Sequence, residues 1–318
     1  MPRIAVLDDY LHLAESSGPW EDLPGDCDVR YFHEHLGDAE QVATALQGYE
    51  VLVVMRERTA LPAQVLNRLD DLKLIVTTGM RNASIDMPCA TERGVTVCGA
   101  NITGYAAFEH TWAMILAITK HIPAADQILR RGGWQEGAGI GLHGKTLGLM
   151  GLGRLGAWTA KVAHAFDMQV IAWSQNLTAD RAAEHGVALV SKSQLLADSD
   201  ILSIHLVLSD RTRHIVGAEE LALMKPTAYL VNTSRGPIVD EAALIDTLRR
   251  KAIAGAALDV FDVEPLPVEH PLRSLDNTVL TGHTGYAIQE AFEMGYDNAV
   301  KAISAWLSGS PIDIINSR

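Results

Sequence analysis

The chain has 318 residues, enough for about two domains and two separate hydrophobic cores. Hydrophobic residues make up 48% and charged residues 20%, a globular rather than a disordered mixture. With 26 Lys and Arg against 39 Asp and Glu, the net charge of −13 argues against a nucleic-acid partner, which would require a basic face. From the N-terminus, apolar runs at Arg3–Leu7, Val51–Met55, Leu72–Thr77 and Val95–Val97 predict four buried strands. Helical spacing separates them at Ala39–Leu46, Pro62–Leu69 and Asp86–Glu92, and this unit closes near Gly99. An Ala-rich segment, Thr103–Arg131, predicts one long helix stopped by Gly132-Gly133, and a glycine-dense loop runs from Gly137 to Gly144.

A second series of strands follows at Thr146–Met150, Gln169–Ala172, Ile201–Ile204, Tyr229–Asn232, Gly255–Leu258 and Val279–Leu280. Helices are predicted over Leu155–Phe166, Ala179–His185, Gly217–Leu223 and Glu241–Lys251, and a final one over Tyr286–Leu307 returns to the first unit. Strands alternating with helices predict an α/β chain of two doubly wound parallel-sheet domains. The expected division is 1–99 with 287–318 for one domain and 100–286 for the other.

Cys27, Cys89 and Cys98 are odd in number and form no C-x-x-C pair, so neither a disulfide framework nor a thiolate zinc site is expected. The acidic N-terminus lacks the apolar stretch of a signal peptide, and no run approaches the ~18 apolar residues of a membrane span. A cytoplasmic protein with no membrane partner is the expectation. His33 and His35 are two residues apart, a spacing that cannot share one helical face, so no metal site is assigned there.

Gly151-Leu152-Gly153-Arg154-Leu155-Gly156 directly follows one predicted strand and opens a helix. In that setting the first glycine permits a tight turn, the second lets backbone approach a pyrophosphate, and the third allows close helix–strand packing. A dinucleotide is therefore expected at this loop, its phosphates facing the helix N-terminus. The acid that would bind the adenosine ribose falls about 20 residues later in NAD-type units. Here the strand ends in Ser174-Gln175-Asn176, with Ser174 23 residues after Gly151 and no acid before Asp180. A missing carboxylate removes repulsion of a 2′-phosphate, and Ser174 and Asn176 can donate hydrogen bonds to one. NAD(P) is the expected cofactor, with NADP(H) favoured over NAD(H).

Arg235, Glu264 and His283 each follow a predicted strand, where ligands of open α/β sheets gather. An Arg grips a carboxylate in a two-pronged contact. An imidazole can donate a proton to a carbonyl oxygen, and a carboxylate beside it favours its charged form. Spacing alone does not separate this trio from three unrelated surface residues.

From Leu72 onward the sequence resembles the D-2-hydroxyacid dehydrogenase family. The resemblance is carried by Leu72–Ile75, Phe108-Glu109-His110, Gly151–Gly156, Val231–Gly236, Ala257–Phe261 with Glu264-Pro265, and Gly282–Gly285, in that order. It implies a Rossmann dinucleotide-binding domain joined to a flavodoxin-like substrate domain. It also implies reversible reduction of a small 2-oxo acid to a D-2-hydroxy acid, with glyoxylate or hydroxypyruvate the first candidates. Arg235 then binds the substrate, Glu264 pairs with His283, and His283 is the acid/base. Arg154 and Leu155 meet the pyrophosphate, Leu206, Val207 and Leu208 line the adenine side, and Thr233, Asp259, His283 and Gly285 lie near the nicotinamide. A homodimer is implied as well, with Trp134 beyond the long helix that mediates it.

The sequence departs from the family pattern in two places. The substrate loop, usually Gly-x-Asp-Asn, reads Gly79-Met80-Arg81-Asn82, so the amides around Met80 and Arg81 are expected to face a carboxylate. Arg81 is either a second cation for the substrate or a solvated loop residue, and Arg56, after an earlier strand, is either a substrate contact or solvated. Gly282 stands where the family usually has proline. A nucleotide-sensing protein of the corepressor type, with little turnover, is the alternative reading.

Overall fold

The computed structural model describes residues 2–25 and 27–316, and contacts divide the chain into two compact units. One comprises Met1–Gly104 with Ala287–Arg318, the other Tyr105–Tyr286. Both are α/β with a single parallel sheet.

The first unit contains β1 (Arg3–Val6), β2 (Asp28–Tyr31), β3 (Val51–Val54), β4 (Leu74–Thr78) and β5 (Thr96–Ala100), ordered β2-β1-β3-β4-β5. β3 and β4 are buried along their whole length, as strands covered on both faces must be. The helix Ala39–Ala45 starts at Asp38, whose carboxylate accepts from the Glu40 and Gln41 amides at 3.0 Å while the Gln41 side chain accepts from the Asp38 amide. Such a reciprocal cap stabilises a helix start by about 1 kcal/mol. The helix Gln289–Leu307 packs on β4 and β5 with Phe292, Tyr296, Val300 and Ile303 buried. Beyond it the chain runs back along β5, where the Ile315 amide donates to the Val97 carbonyl at 2.8 Å.

The second unit contains β6 (Thr146–Met150), β7 (Gln169–Trp173), β8 (Ala188–Leu189), β9 (Ile201–Ile204), β10 (Tyr229–Asn232), β11 (Gly255–Leu258) and β12 (Thr278–Leu280). Their order is β12-β11-β10-β9-β6-β7-β8. Alternate residues divide between two cores: Leu147, Leu149, Val231 and Ala257 on one face, Met150, Leu202, Leu230 and Leu258 on the other. The winding reverses between β6 and β9, so the loops after those two strands diverge and leave a crevice at their carboxyl ends.

Several elements depart from the sequence expectation. β2 and β8 present no buried apolar run in the sequence: β2 alternates exposed and half-buried residues, and both residues of β8 are exposed. The helix Lys192–Asp198 is a further addition to the expected elements, and Ser191 and Gln194 cap it reciprocally. The long helix expected over Thr103–Arg131 is two helices, Ala106–Thr119 and Ile122–Arg130. Pro123 explains the break, since its ring would strike the Thr119 carbonyl and it has no amide to donate there. His121 turns the chain with φ of 53°, and the released Thr119 carbonyl accepts the Ile140 amide at 2.9 Å.

Candidate active site

The glycine loop lies between β6 and the helix Arg154–Ala165. Gly151 has φ of +108°, and a Cβ there would lie 2.6 Å from the His205 carbonyl oxygen on the loop after β9. A Cβ on Gly156 would run into the Gly151 carbonyl oxygen itself. Gly153 differs from both, with nothing within 4 Å of its added Cβ. The first and third glycines are thus required by packing inside the protein, whereas the second leaves open space in front of the helix N-terminus. An anion can approach backbone amides there, as a dinucleotide pyrophosphate requires. Arg154 is exposed with its guanidinium over Trp158, 5.5 Å from the ring centre, and Leu155 is half-buried.

Ser174 follows β7 directly, and the Gly151 amide donates to the carbonyl of its neighbour Trp173 at 2.9 Å. Ser174, half-buried, and Asn176, exposed, therefore stand at the strand end beside the glycine loop. On the other flank, Leu206 Cδ2 lies 3.2 Å from the Cβ built on Gly151. Leu206 and Leu208 pack on the core, whereas Val207 is 80% exposed. His205 beneath them bonds Ser203 Oγ through Nε2 at 3.0 Å, and burial pushes its imidazole down to about 4.

Arg235, Glu264 and His283 come from the loops after β10, β11 and β12, which are consecutive neighbours in the sheet. Gly236 packs so closely on the Phe261 carbonyl that no side chain fits, which presses the Arg235 loop onto the Glu264 loop. Arg235 is half-buried and its guanidinium donates to the Ser234 carbonyl at 2.7 Å. Glu264 Oε1 accepts from the Phe261 amide at 2.9 Å, and Oε2 lies 2.6 Å from His283 Nδ1. An ionised carboxylate only accepts, so Nδ1 donates in that bond and Nε2 is the ring nitrogen that can exchange a proton with a ligand. Thr233, after β10, bonds Thr111 through the two hydroxyls at 2.7 Å.

His283 has φ of 54°, a left-handed conformation that costs an L-residue on the order of 1 kcal/mol. Asp259 compensates. The Asp259 carbonyl accepts from the His283 amide at 2.7 Å, and its carboxylate accepts from the Thr284 and Gly285 amides at 2.8 and 2.9 Å. Thr281 Oγ1 adds a bond at 2.5 Å, and His110 Nε2 lies 3.2 Å from the same carboxylate. Burial disfavours the charged form of Asp259, but the hydrogen bonds from His110, Thr281 and Thr284 outweigh it and hold the carboxyl below its ordinary value. Sequence reasoning assigned no role to His110, which is 171 residues from the Thr281 hydroxyl that it also touches.

In the first unit, Arg56 follows β3 with φ of 52°, and its amide donates to Thr78 Oγ1 at 3.1 Å. Its guanidinium lies 3.7 Å from Glu57. Asn82 Nδ2 donates to the Arg56 carbonyl and to Thr77 Oγ1, tying the loop after β3 to the loop after β4. Met80 is 44% exposed and Arg81 is exposed beside it. His33 stacks on His12 with ring centres 4.0 Å apart and approaches the Asp9 carboxylate at 3.2 Å.

Among the described residues, no group of three or more His, Cys, Asp or Glu is placed to hold a metal ion, and no helix is long and apolar enough to cross a membrane.

The model of the D-isomer specific 2-hydroxyacid dehydrogenase NAD binding domain matches residues 112–285. A glyoxylate reductase of Aeropyrum pernix is 41% identical over 261 residues, covering 76% of this chain and 78% of that protein. A D-3-phosphoglycerate dehydrogenase of Methanocaldococcus jannaschii is 38% identical over 270 residues, covering 81% of this chain but 51% of that protein. The chain thus spans about half the length of that relative. Among solved structures, a putative D-3-phosphoglycerate dehydrogenase from Ralstonia solanacearum superposes with a TM-score of 0.93 at 35% identity, covering 99% of this chain and 97% of that one.

Proposed function

The chain belongs to the D-isomer specific 2-hydroxyacid dehydrogenase family, and we propose that it reduces a small 2-oxo acid to the D-2-hydroxy acid with NADPH or NADH. The observation that carries this reading is the 2.6 Å contact between Glu264 and His283 on loops beside that of Arg235. When bound, the nicotinamide supplies hydride to the carbonyl carbon. His283 Nε2 gives a proton to the carbonyl oxygen, and the Glu264 carboxylate, bonded to Nδ1 at 2.6 Å, orients the ring that does so. Arg235 offers a planar fork to the substrate carboxylate and carbonyl. Asp259, Thr233 and Gly285 orient the nicotinamide, and Gly151, Gly153, Arg154, Leu155 and Gly156 take the pyrophosphate. The open approach to Gly153 supports that assignment.

Glyoxylate is favoured as substrate because the similar protein of Aeropyrum pernix carries that activity in its name and matches this chain in extent. Hydroxypyruvate is the second candidate. Arg56 and the amides of Met80 and Arg81 serve the substrate carboxylate. NADP(H) is favoured because Ser174 and Asn176 stand where an acid would repel a 2′-phosphate, and Leu206, Val207 and Leu208 border the adenine. A homodimer is supported by the helix Ile122–Arg130, which has no buried residue and leaves Leu129 59% exposed, with Trp134, five residues on in the sequence, 75% exposed. A cytoplasmic location belongs to the same reading.

A panel of 2-oxo acids assayed with NADH and NADPH in parallel tests the activity. Glyoxylate or hydroxypyruvate turnover, lost in His283→Ala with cofactor binding retained, is expected. Cofactor binding without turnover of any 2-oxo acid would overturn the reading.

A further inference from the structure

We infer that His110 is a positioning residue of this site: as a hydrogen-bond donor to Asp259 it holds the 281–285 turn that carries His283. The inference rests on the reading of His283 as the acid/base.

Asp259 is 1% exposed, and three of its donors, Thr281 Oγ1, the Thr284 amide and the Gly285 amide, belong to the turn itself. Among the described residues, His110 on the helix Ala106–Thr119 is the donor that comes from outside that turn. Its tautomer follows from counting protons. Thr281 has one hydroxyl proton and gives it to Asp259, which as a carboxylate has none to return. His110 Nε2 lies 3.1 Å from Thr281 Oγ1 and 3.2 Å from Asp259 Oδ1, so Nε2 must carry the hydrogen and share it between two acceptors.

The imidazole also packs on the turn. A Cβ built on Gly285 would lie 3.4 Å from His110 Cδ2 and 3.0 Å from Asp259 Oδ2. His110, Asp259 and Gly285 are therefore in mutual contact, with Gly285 two residues along the chain from His283, whose amide is tied to the Asp259 carbonyl. Without the outside donor the carboxylate can rotate with its turn, and the His283 ring loses the direction that the left-handed backbone gives it. A misplacement of about 1 Å at a reacting group costs as much as roughly 100-fold in rate.

The test compares His110→Leu, which keeps bulk and loses the donor, with His110→Gln, which keeps an N–H, and with His283→Ala, all in the full chain. His110→Leu is expected to lower kcat tenfold or more with KM within about threefold, while His110→Gln stays within about threefold of wild type. Wild-type kcat in His110→Leu, or equal losses in Leu and Gln, overturns the inference. Long-range proton–nitrogen NMR of the wild type checks it without relying on a folded Leu variant. The His110 ring must be protonated at Nε2, and a bare Nε2 refutes the donor role. Full activity in His283→Ala would instead refute the reading of His283, whereas its loss beside a fully active His110→Leu would refute the positioning role alone.

Discussion

Gly153→Ala and Gly156→Ala add the same methyl group to one loop, three residues apart, and are expected to fail in opposite ways. At Gly156 the new Cβ would fall inside 3.0 Å of the Gly151 carbonyl oxygen, a backbone atom that moves only with the end of β6. Overpacking of this kind costs about 1–3 kcal/mol, with a backbone neighbour placing it near the top of that range. Alanine recovers about 1 kcal/mol of helix propensity, so the net loss is about 2 kcal/mol. For a unit of this size that lowers Tm by roughly 4–8 °C. At Gly153, with φ of −84° and nothing within 4 Å of the added carbon, the fold should lose less than about 1 kcal/mol. The methyl instead fills the approach of the pyrophosphate, and a tenfold weaker cofactor corresponds to about 1.4 kcal/mol. Thermal unfolding with and without NADPH reads both. Cofactor at 100 times its Kd stabilises by about 2.7 kcal/mol, so a tenfold weaker Kd halves the cofactor-induced rise in Tm. A wild-type Tm for Gly156→Ala would refute the close packing, and a full cofactor response in Gly153→Ala would show that the phosphates pass elsewhere.

Arg235→Lys should reduce kcat/KM for the 2-oxo acid by tenfold or more, because an ammonium cannot reproduce a planar two-pronged contact; unchanged kcat/KM removes the fork. Ser174→Asp should shift the NADPH-to-NADH ratio of kcat/KM toward NADH by about 5- to 150-fold through like-charge contact, and an unaltered ratio would mean that Ser174 does not face the ribose. His205, with its folded value near 4, is protonated in the unfolded chain before the folded one as pH falls below about 6.5. Its contribution is complete above that pH and is lost progressively toward pH 4. His205→Asn should therefore flatten the fall in urea stability between pH 7 and 4 by about 2–3 kcal/mol, and parallel profiles would contradict this.

Local stereochemistry made much of this protein legible from sequence. The buried strands stand out because both faces of each sheet are covered, so their apolar runs are unbroken, and the β6–glycine loop–helix unit stands out because two of its glycines answer to backbone packing. The break at His121 was equally local, since Pro123 forbids a continuous helix, but the Ala-rich periodicity around it predicts one helix instead. Edge strands such as β2 carried no comparable signal, because half their side chains face water.

What tertiary structure alone decided is which polar groups meet. Arg235, Glu264 and His283 are loop residues in the sequence, and the loops that carry them become neighbours because β10, β11 and β12 lie side by side with parallel register. Gly236 has no local reason to be glycine until the Phe261 backbone is seen against it. Asp259 reads as one acid after a strand, yet it organises the whole turn around His283, with His110 reaching it from another helix. Periodicity and propensity report the backbone within a few residues, whereas a hydrogen bond between distant segments depends on chain paths that no local pattern encodes.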